Sequence, residues 1–375
     1  MIELNDIQRS VQQTFREFAD RRVRPQAAAI DREARFPMEL FREAGALGFF
    51  GMRYPQEVGG TDMDAVSYNL AVIELARGSL SLAASCTMQS LMGTYFLHRF
   101  GDAGIREAYL VPAIRGERIG GICMTEPDAG SDLMSVSTTA RAIADGFVLN
   151  GRKTWVTSAP VADFFTVLAR TEGHEGLSLF FVPSGSPGVT VGRDIGKMGV
   201  RGSPTSEVGF TDVVLPVNHL LGGIGQGTRC LHEILAEIRI MTAALAVGVA
   251  TAAFDDALEY ARTRVQFGKA IGTFQAVRTK FAGMAMRLET ARLFTLHAAT
   301  LRQDDPGRAR QAMIAKLHAS ECANAVCDEA SRVMASYGYA TDHAMERYLR
   351  DARFTLIGGG TSEILQLNIA KELGL

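Results

Sequence analysis

Three stretches of the chain hold side chains of the kind that bind a flat, phosphate-bearing group. The first is CMTEPDAGSD, residues 123–132. Thr125, Gly130 and Ser131 give hydroxyl and N–H donors in a turn-rich loop, which suits a ring carbonyl or a phosphate oxygen. A plain polar loop reads the same way. The second, GRKTWVTSA at 151–159, holds the only tryptophan. Trp155 beside Thr157 pairs an aromatic face with a hydroxyl, as a flat heterocycle requires; a core tryptophan at a strand end is the alternative. The third, RTRVQFGKAIGTFQAV at 262–277, sets Arg264, Gln266 and Phe267 between two helical runs. Arg264 suits a pyrophosphate; the alternative is a solvated helix end with Phe267 buried. A fourth stretch, TLIGGGTSEIL at 355–365, places three glycines in a row before Thr361 and Ser362. A Gly-rich turn after a helix can serve positive φ angles, but one glycine meets that need more readily than three.

Other chemistries lack their residues. The seven histidines are scattered and none sits in an HExxH or CxxC setting, so metal catalysis has no ligand set. There is no G-x-S-x-G elbow, no Walker A loop and no GxGxxG opening a helix after a strand, which removes the hydrolase, P-loop and nicotinamide readings. A net charge of −2 gives no field for nucleic acid or an anionic membrane. The five cysteines have no zinc or redox spacing, which reads as reduced, buried thiols in a cytoplasmic protein. The N-terminal run is charged throughout and is not a signal peptide. The apolar run 240–254 has 15 residues, short of a membrane span, and reads as a buried helix.

The elements that must position these residues follow a helical–β–helical plan. At 375 residues the chain is too long for one ordinary core. Ile7, Val11, Phe15 and Phe18 recur at helix spacing behind an Asn5 or Asp6 cap, and Pro25 ends or bends that helix. Residues 36–51 read as a second helix stopped by Gly51. Residues 63–101 read as a pair of helices apolar on most faces. From about Gly116 short β-branched runs alternate with turn dipeptides. Asp145-Gly146 and Asn150-Gly151 are hairpin signals, so an antiparallel β unit is expected. After the flexible GGIGQG at 222–227, helices are expected over 228–262, 273–303, 308–337 and 342–352. The expected domains are 1–117 (all-α), 118–222 (β) and 223–375 (α).

Taken together, TEPDAGSD, NGRKTWVTSA, RTRVQFGKAIGTFQAV and YGYATDHAMERYLRDARF before a GTS turn resemble the acyl-CoA dehydrogenase family in order and gaps, over essentially the whole chain. The resemblance implies an α+β multidomain fold: an N-terminal helical domain, a middle antiparallel β-barrel domain and a C-terminal four-helix bundle. It implies FAD as cofactor and a homotetramer built as a dimer of dimers. The substrate implied is an acyl-CoA or other pantetheine thioester, including an acyl-carrier thioester, and the oxidant is O2 or an electron-transfer flavoprotein. Residue by residue, Ile122, Met124, Thr125, Gly130 and Ser131 match the loop that touches the flavin pyrimidine edge and phosphates. Trp155 and Thr157 match the residues at the isoalloxazine. Arg264, Gln266, Phe267 and Gln275 match contacts made by a neighbouring subunit to the ADP half. Arg332 stands where the family more often has Gln toward the adenosine, with Ser336 nearby, and Thr361 and Glu363 follow the GTS turn. Ser131, Arg239 and Gly360 match substrate contacts.

The family's usual base is the Glu of a Y-E-G-T-S turn, and Gly359 stands in its place. An alternative base position on the long helix is Ile238 here, with Glu237 one residue away and about 100° around the helix. The backbone N–H at 359, which in the family polarises the thioester carbonyl, survives any side chain. General-base catalysis is typically worth about 10²–10⁴-fold, so its loss calls for another chemistry. The favoured expectation is a repurposed flavin-dependent oxidase or monooxygenase on a bulky or cyclic thioester, using room that the glycines open. The alternatives are dehydrogenation with Glu237 as base, a substrate that needs no protein base, and an inactive FAD-binding scaffold. Gly359→Glu is expected to raise dehydrogenation of a simple acyl-CoA.

Overall fold

In the computed structural model, residues 3–375 are described. The chain opens with helix α1, Asp6–Phe18, closed by a capping box between Asn5 and Gln8. Its core face is Val11, Phe15 and Phe18; Ile7, expected on that face, is 63% exposed. Pro25 lies in a 3₁₀ turn, Arg24–Gln26, after the helix. The expected second helix is shorter than its sequence suggests. It runs as α2, Met38–Ala46, and gives way to a separate 3₁₀ turn at Phe49–Gly51 because Gly48 takes φ +83° between them. Helices α3, Ala65–Gly78, and α4, Leu80–Thr87, are buried along nearly their whole length.

The β domain is an eight-stranded sheet. Its strands are β1 (Gly120–Cys123), β2 (Thr139–Ile143), β3 (Gly146–Thr157), β4 (Phe164–Thr171), β5 (Leu177–Pro183), β6 (Val189–Asp194), β7 (Thr205–Pro216) and β8 (Leu220–Leu221). The order is β6-β7-β3-β2-β4-β5-β8, with β1 on β4. Most pairs are antiparallel, as expected, but β1 and β2 both run parallel to β4. The long 124–138 loop after β1 permits this, since parallel pairing needs a crossover rather than a tight turn. Asp145-Gly146 opens β3 after a hairpin with β2. Asn150-Gly151 is not a turn: it lies inside β3, where the register against β7 shifts. A Cβ on Gly151 would come within 2.4 Å of Thr138 Oγ1, so the bulge requires glycine there.

Helix α5, Gly227–Thr263, spans the core of the C-terminal domain. It is long and apolar enough to cross a membrane, but its most apolar window is 78% buried inside the protein. Around it pack α6 (Gln275–Thr300), α7 (Arg308–Met334) and α8 (Met345–Thr355), and α9 (Ser362–Glu372) packs on α7. The last helix, capped by Thr361, was not foreseen. All five cysteines are buried and unpaired. The three domains are tied at one point. Arg350 on α8 donates to Asp31 (2.6 Å) and to the Met198 carbonyl (2.9 Å), while the Val200 N–H donates to Asp351 (2.6 Å).

Candidate active site

The loop after β1 is fastened to β3 by a pair that sequence reasoning missed. The Glu126 carboxylate is 4% exposed and Lys153 is fully buried. Lys153 Nζ donates to Glu126 (2.8 Å) and to the Met124 carbonyl (3.0 Å). Backbone N–H and hydroxyl groups of Ser137 and Thr138 fill the remaining acceptor positions of Glu126. A further bond, Thr154 N–H to the Thr125 carbonyl (2.9 Å), sets Thr125 beside the strand that carries Trp155. A buried charge persists only when paired and hydrogen-bonded in this way.

Burial alone would raise the Glu126 pKa; the hydrogen bonds from Lys153, Ser137 and Thr138 outweigh it and hold it at about 2. A depressed carboxylate contributes stability above its unfolded value, near 4.5, and that contribution is lost as pH falls toward 2. Acid titration of the wild type is therefore expected to lose stability across about pH 4.5 to 2. Glu126→Gln should show a shallower loss there, read from unfolding midpoints at each pH.

Trp155 sits on a second bulge of β3, between Lys153 and Val156. Its φ is +57°, rare for a bulky residue, and its ring is 57% exposed. Backbone strain of this kind marks a residue aimed for use rather than for packing. Thr157 follows, half-buried, and next to it Ser158 (φ +64°) has a buried hydroxyl with no partner among the described residues. In the loop, Ile122 is buried, Met124 and Thr125 are half-buried, and Gly130 and Ser131 are exposed. The structure thus gathers the expected residues of the first two stretches.

A second grouping forms at the glycines. Gly359 has φ +74° and Gly360 φ +104°. A Cβ on Gly359 would lie 2.9 Å from Thr242 Oγ1 on α5, and one on Gly358 would lie 2.9 Å from the Phe354 ring. Two glycines answer to positive φ and the third to a close approach. Gly359 itself is exposed, and the atoms nearest its Cβ position belong to Thr242. Thr242 in turn donates to the Ile238 carbonyl (2.8 Å), so Gly359 and Ile238 meet at one threonine. Neither Gly359 nor Gly360 has an acceptor for its N–H among the described residues. Fully buried Lys316 donates to the Gly360 carbonyl at 2.5 Å and fixes the turn. Burial lowers the Lys316 pKa, with Glu321 opposing and Arg239 adding to the shift, to about 8. Arg239 is half-buried, with its Nε unpartnered. Thr361 caps α9, and Glu363 is exposed in its first turn.

Glu237 departs from the expectation that it stands in as base. Its Oε1 accepts from Arg53 (3.2 Å) and from Arg308 (3.3 Å). Both bonds fall on one oxygen, and on α5 the residue stands about 140° around the helix from Thr242.

The third grouping is a surface hairpin, Val265–Gln266 paired with Lys269–Ala270. Phe267 at its tip is 93% exposed with φ +50°, not the buried residue of the alternative reading. Arg264 and Gln275 are exposed, and the Arg264 guanidinium lies over the Tyr337 ring at 5.6 Å. Arg332 pairs with Asp328 (2.9 Å) on the outside of α7, with Ser336 exposed just beyond. No hydrogen bond joins this hairpin to the other two groupings among the described residues.

The chain thus joins a helical domain, a β domain with a strained aromatic at a bulged strand end, and a helical bundle with a glycine turn against its core helix. Residues 5–117, 121–213 and 225–374 match the N-terminal, middle and C-terminal domains of acyl-CoA dehydrogenase. The chain belongs to the acyl-CoA dehydrogenase family of FAD-dependent oxidoreductases. It is 54% identical to benzylmalonyl-CoA dehydrogenase of Aromatoleum aromaticum over 99% of each chain. Its fold matches butyryl-CoA dehydrogenase from Megasphaera elsdenii with a TM-score of 0.96 at 34% identity over 100% of both chains. It also matches the FAD complex of PigA, with a TM-score of 0.95 at 31% identity over 100% of this chain and 99% of the other. The residues present fit FAD: the exposed, strained Trp155 offers a stacking face, and the unpartnered Ser158 hydroxyl and the donors of the 124–131 loop suit its polar edge.

Proposed function

We propose that the protein oxidises a 2-carboxyacyl-CoA, a malonyl-type thioester bearing a bulky β-substituent, with loss of CO2 in place of α-proton abstraction. The observation that carries this reading is that glycine and isoleucine stand at 359 and 238, where the family resemblance would put a base, with Glu237 tied to two arginines. A saturated acyl thioester cannot be oxidised efficiently there, because its α-proton has no acceptor. A malonyl-type thioester carries its own solution. When its Cα–carboxylate bond breaks, the electron pair stays on Cα and delocalises into the thioester carbonyl. The Cβ–H then leaves as hydride and a Cα=Cβ double bond forms. Atoms and charge balance with no proton transferred to the protein. The name of the benzylmalonyl-CoA dehydrogenase relative supports this substrate class.

FAD, when bound, accepts the hydride. The chain's part is to bind, orient and stabilise. Trp155 and Thr157 are the residues to hold the flavin ring, and Thr125, Gly130 and Ser131 its edge and phosphates. The exposed hairpin with Arg264 and Phe267 suits contact with the ADP half bound in a neighbouring subunit, which supports a homotetramer. The free N–H at Gly359 and Gly360, held by Lys316 through the Gly360 carbonyl, can donate to the thioester oxygen as negative charge develops. The absence of a carboxylate at 359 spares the substrate's own carboxylate a like charge nearby.

The test is anaerobic mixing of the holoenzyme with benzylmalonyl-CoA and with 3-phenylpropanoyl-CoA, which differ only in the carboxylate. Flavin bleaching by the first is expected to be faster by about 10²–10⁴-fold, the value of a missing general base. Equal rates would overturn the reading. So would a flavin that stays oxidised without air and changes only when oxygen is admitted, the behaviour of an oxygenase.

A further inference from the structure

We propose that Lys153 is a positioning residue that sets the electron affinity of the bound flavin, acting through the peptide unit between Met124 and Thr125. This rests on the placement of Thr125 at the flavin edge. The Lys153 ammonium, fully buried, donates to the Met124 carbonyl at 3.0 Å. The other end of that peptide unit is the N–H of Thr125, which has no acceptor among the described residues. The bond is trans, so its carbonyl and its N–H point in opposite directions. With the carbonyl aimed at the buried ammonium, the N–H is aimed away from the buried pair. The next carbonyl, that of Thr125, is already taken by the Thr154 N–H at 2.9 Å. Two bonds from β3 therefore fix both peptide units around Thr125 and leave one donor free. That donor belongs to a half-buried residue beside the strand that carries the exposed Trp155.

The arrangement of charge gives this donor its strength. Glu126 accepts from Lys153 at 2.8 Å, and Ser137 and Thr138 hold the carboxylate in place. The pair is neutral in sum, but its positive end touches the Met124 carbonyl. A cation there draws electron density through the amide, and hydrogen bonds in series strengthen one another. Burial of both partners keeps water from screening the effect. Lys153 thus fastens the loop and also makes the Thr125 N–H a stronger donor. FAD, when bound, gains negative charge on reduction, and a stronger donor at the ring edge favours the reduced form.

The experiment measures the two-electron reduction potential of the FAD-loaded protein by equilibration with a reference dye. No thioester is present, so the outcome is independent of the decarboxylative reading. Slightly acidic buffer keeps the Lys153 ammonium charged. Glu126→Gln combined with Lys153→Met removes the cation without leaving a buried ion. At a fixed potential, its ratio of reduced to oxidised flavin is expected to fall by about tenfold, which is about 30 mV for a two-electron couple. Glu126→Gln alone keeps Lys153 and takes away its counter-ion, so there the ratio is expected to rise. A pair that only fastens the loop would leave both potentials at the wild-type value or move them in the same direction, and either result would overturn the proposal. An intact melting transition certifies each variant. If the double variant sheds FAD, the single variant decides, and no rise there overturns the proposal. Thr125→Ala, which keeps the N–H and removes the hydroxyl, is expected to shift the flavin absorption bands. Unshifted bands would overturn the placement of the ring at Thr125, a failure separate from that of the charge relay.

Discussion

Lys153→Met is expected to destabilise the protein by about 3–5 kcal/mol, the cost of leaving a buried carboxylate without its cation. The size follows from the burial of both partners, with Lys153 fully buried and Glu126 4% exposed. It also follows from the work of Lys153, whose ammonium bonds both Glu126 and the Met124 carbonyl. The loop that it fastens carries Thr125, Gly130 and Ser131, so the variant should also lose FAD on purification. Adding Glu126→Gln removes the orphan charge and should recover a large part of the stability, because a neutral pair leaves no buried ion. Unfolding curves and the flavin-to-protein absorbance ratio of the two variants check this. A single variant within about 1 kcal/mol of wild type would show that the pair carries no such load.

The second large effect concerns Gly359. A glutamate there has the chemistry of the missing base, but the backbone at φ +74° disfavours any side chain, and Cβ would press on Thr242 Oγ1 at 2.9 Å. Left-handed backbone costs an L-residue about 1–2 kcal/mol, so Gly359→Glu alone should gain little. Combined with Thr242→Ala, it is expected to speed flavin reduction by 3-phenylpropanoyl-CoA by about 10²–10⁴-fold. The same double variant should slow benzylmalonyl-CoA, since the new carboxylate faces the substrate's own. Stopped-flow bleaching with both thioesters reads both arms. An equal gain in the single variant would mean the turn yields more readily than its geometry shows. No gain in either would mean that the pocket favours the carboxylated thioester for reasons beyond the base.

Much of this was legible from the residues. The core helix Gly227–Thr263 announced itself by an unbroken apolar run, and the strands by β-branched alternation between turn dipeptides. Asn150-Gly151 misled because Asn-Gly reports a backbone preference, and a bulge inside a strand uses that preference as well as a turn does. At the glycines, sequence shows the residue types, but not the positive φ at 359 or the threonine against it. The Glu126–Lys153 pair was out of reach because its partners stand 27 residues apart and meet only through the pairing of the 124–138 loop with β3. A lysine among inward-facing strand residues was the one available signal. Glu237 stands next to Ile238 in the sequence. Its engagement could not be read, because Arg53 and Arg308 reach it from 184 and 71 residues away.

The fate of the α-hydrogen tests the central claim most directly. Benzylmalonyl-CoA deuterated at Cα is given to the holoenzyme anaerobically for a single turnover, and the acyl product is weighed by mass spectrometry. Loss of CO2 with the α-deuterium retained in the unsaturated thioester is the predicted result, since the electron pair comes from the C–C bond. A product that keeps its carboxylate and has lost the deuterium to solvent would show that a base takes the α-proton, and would contradict the account.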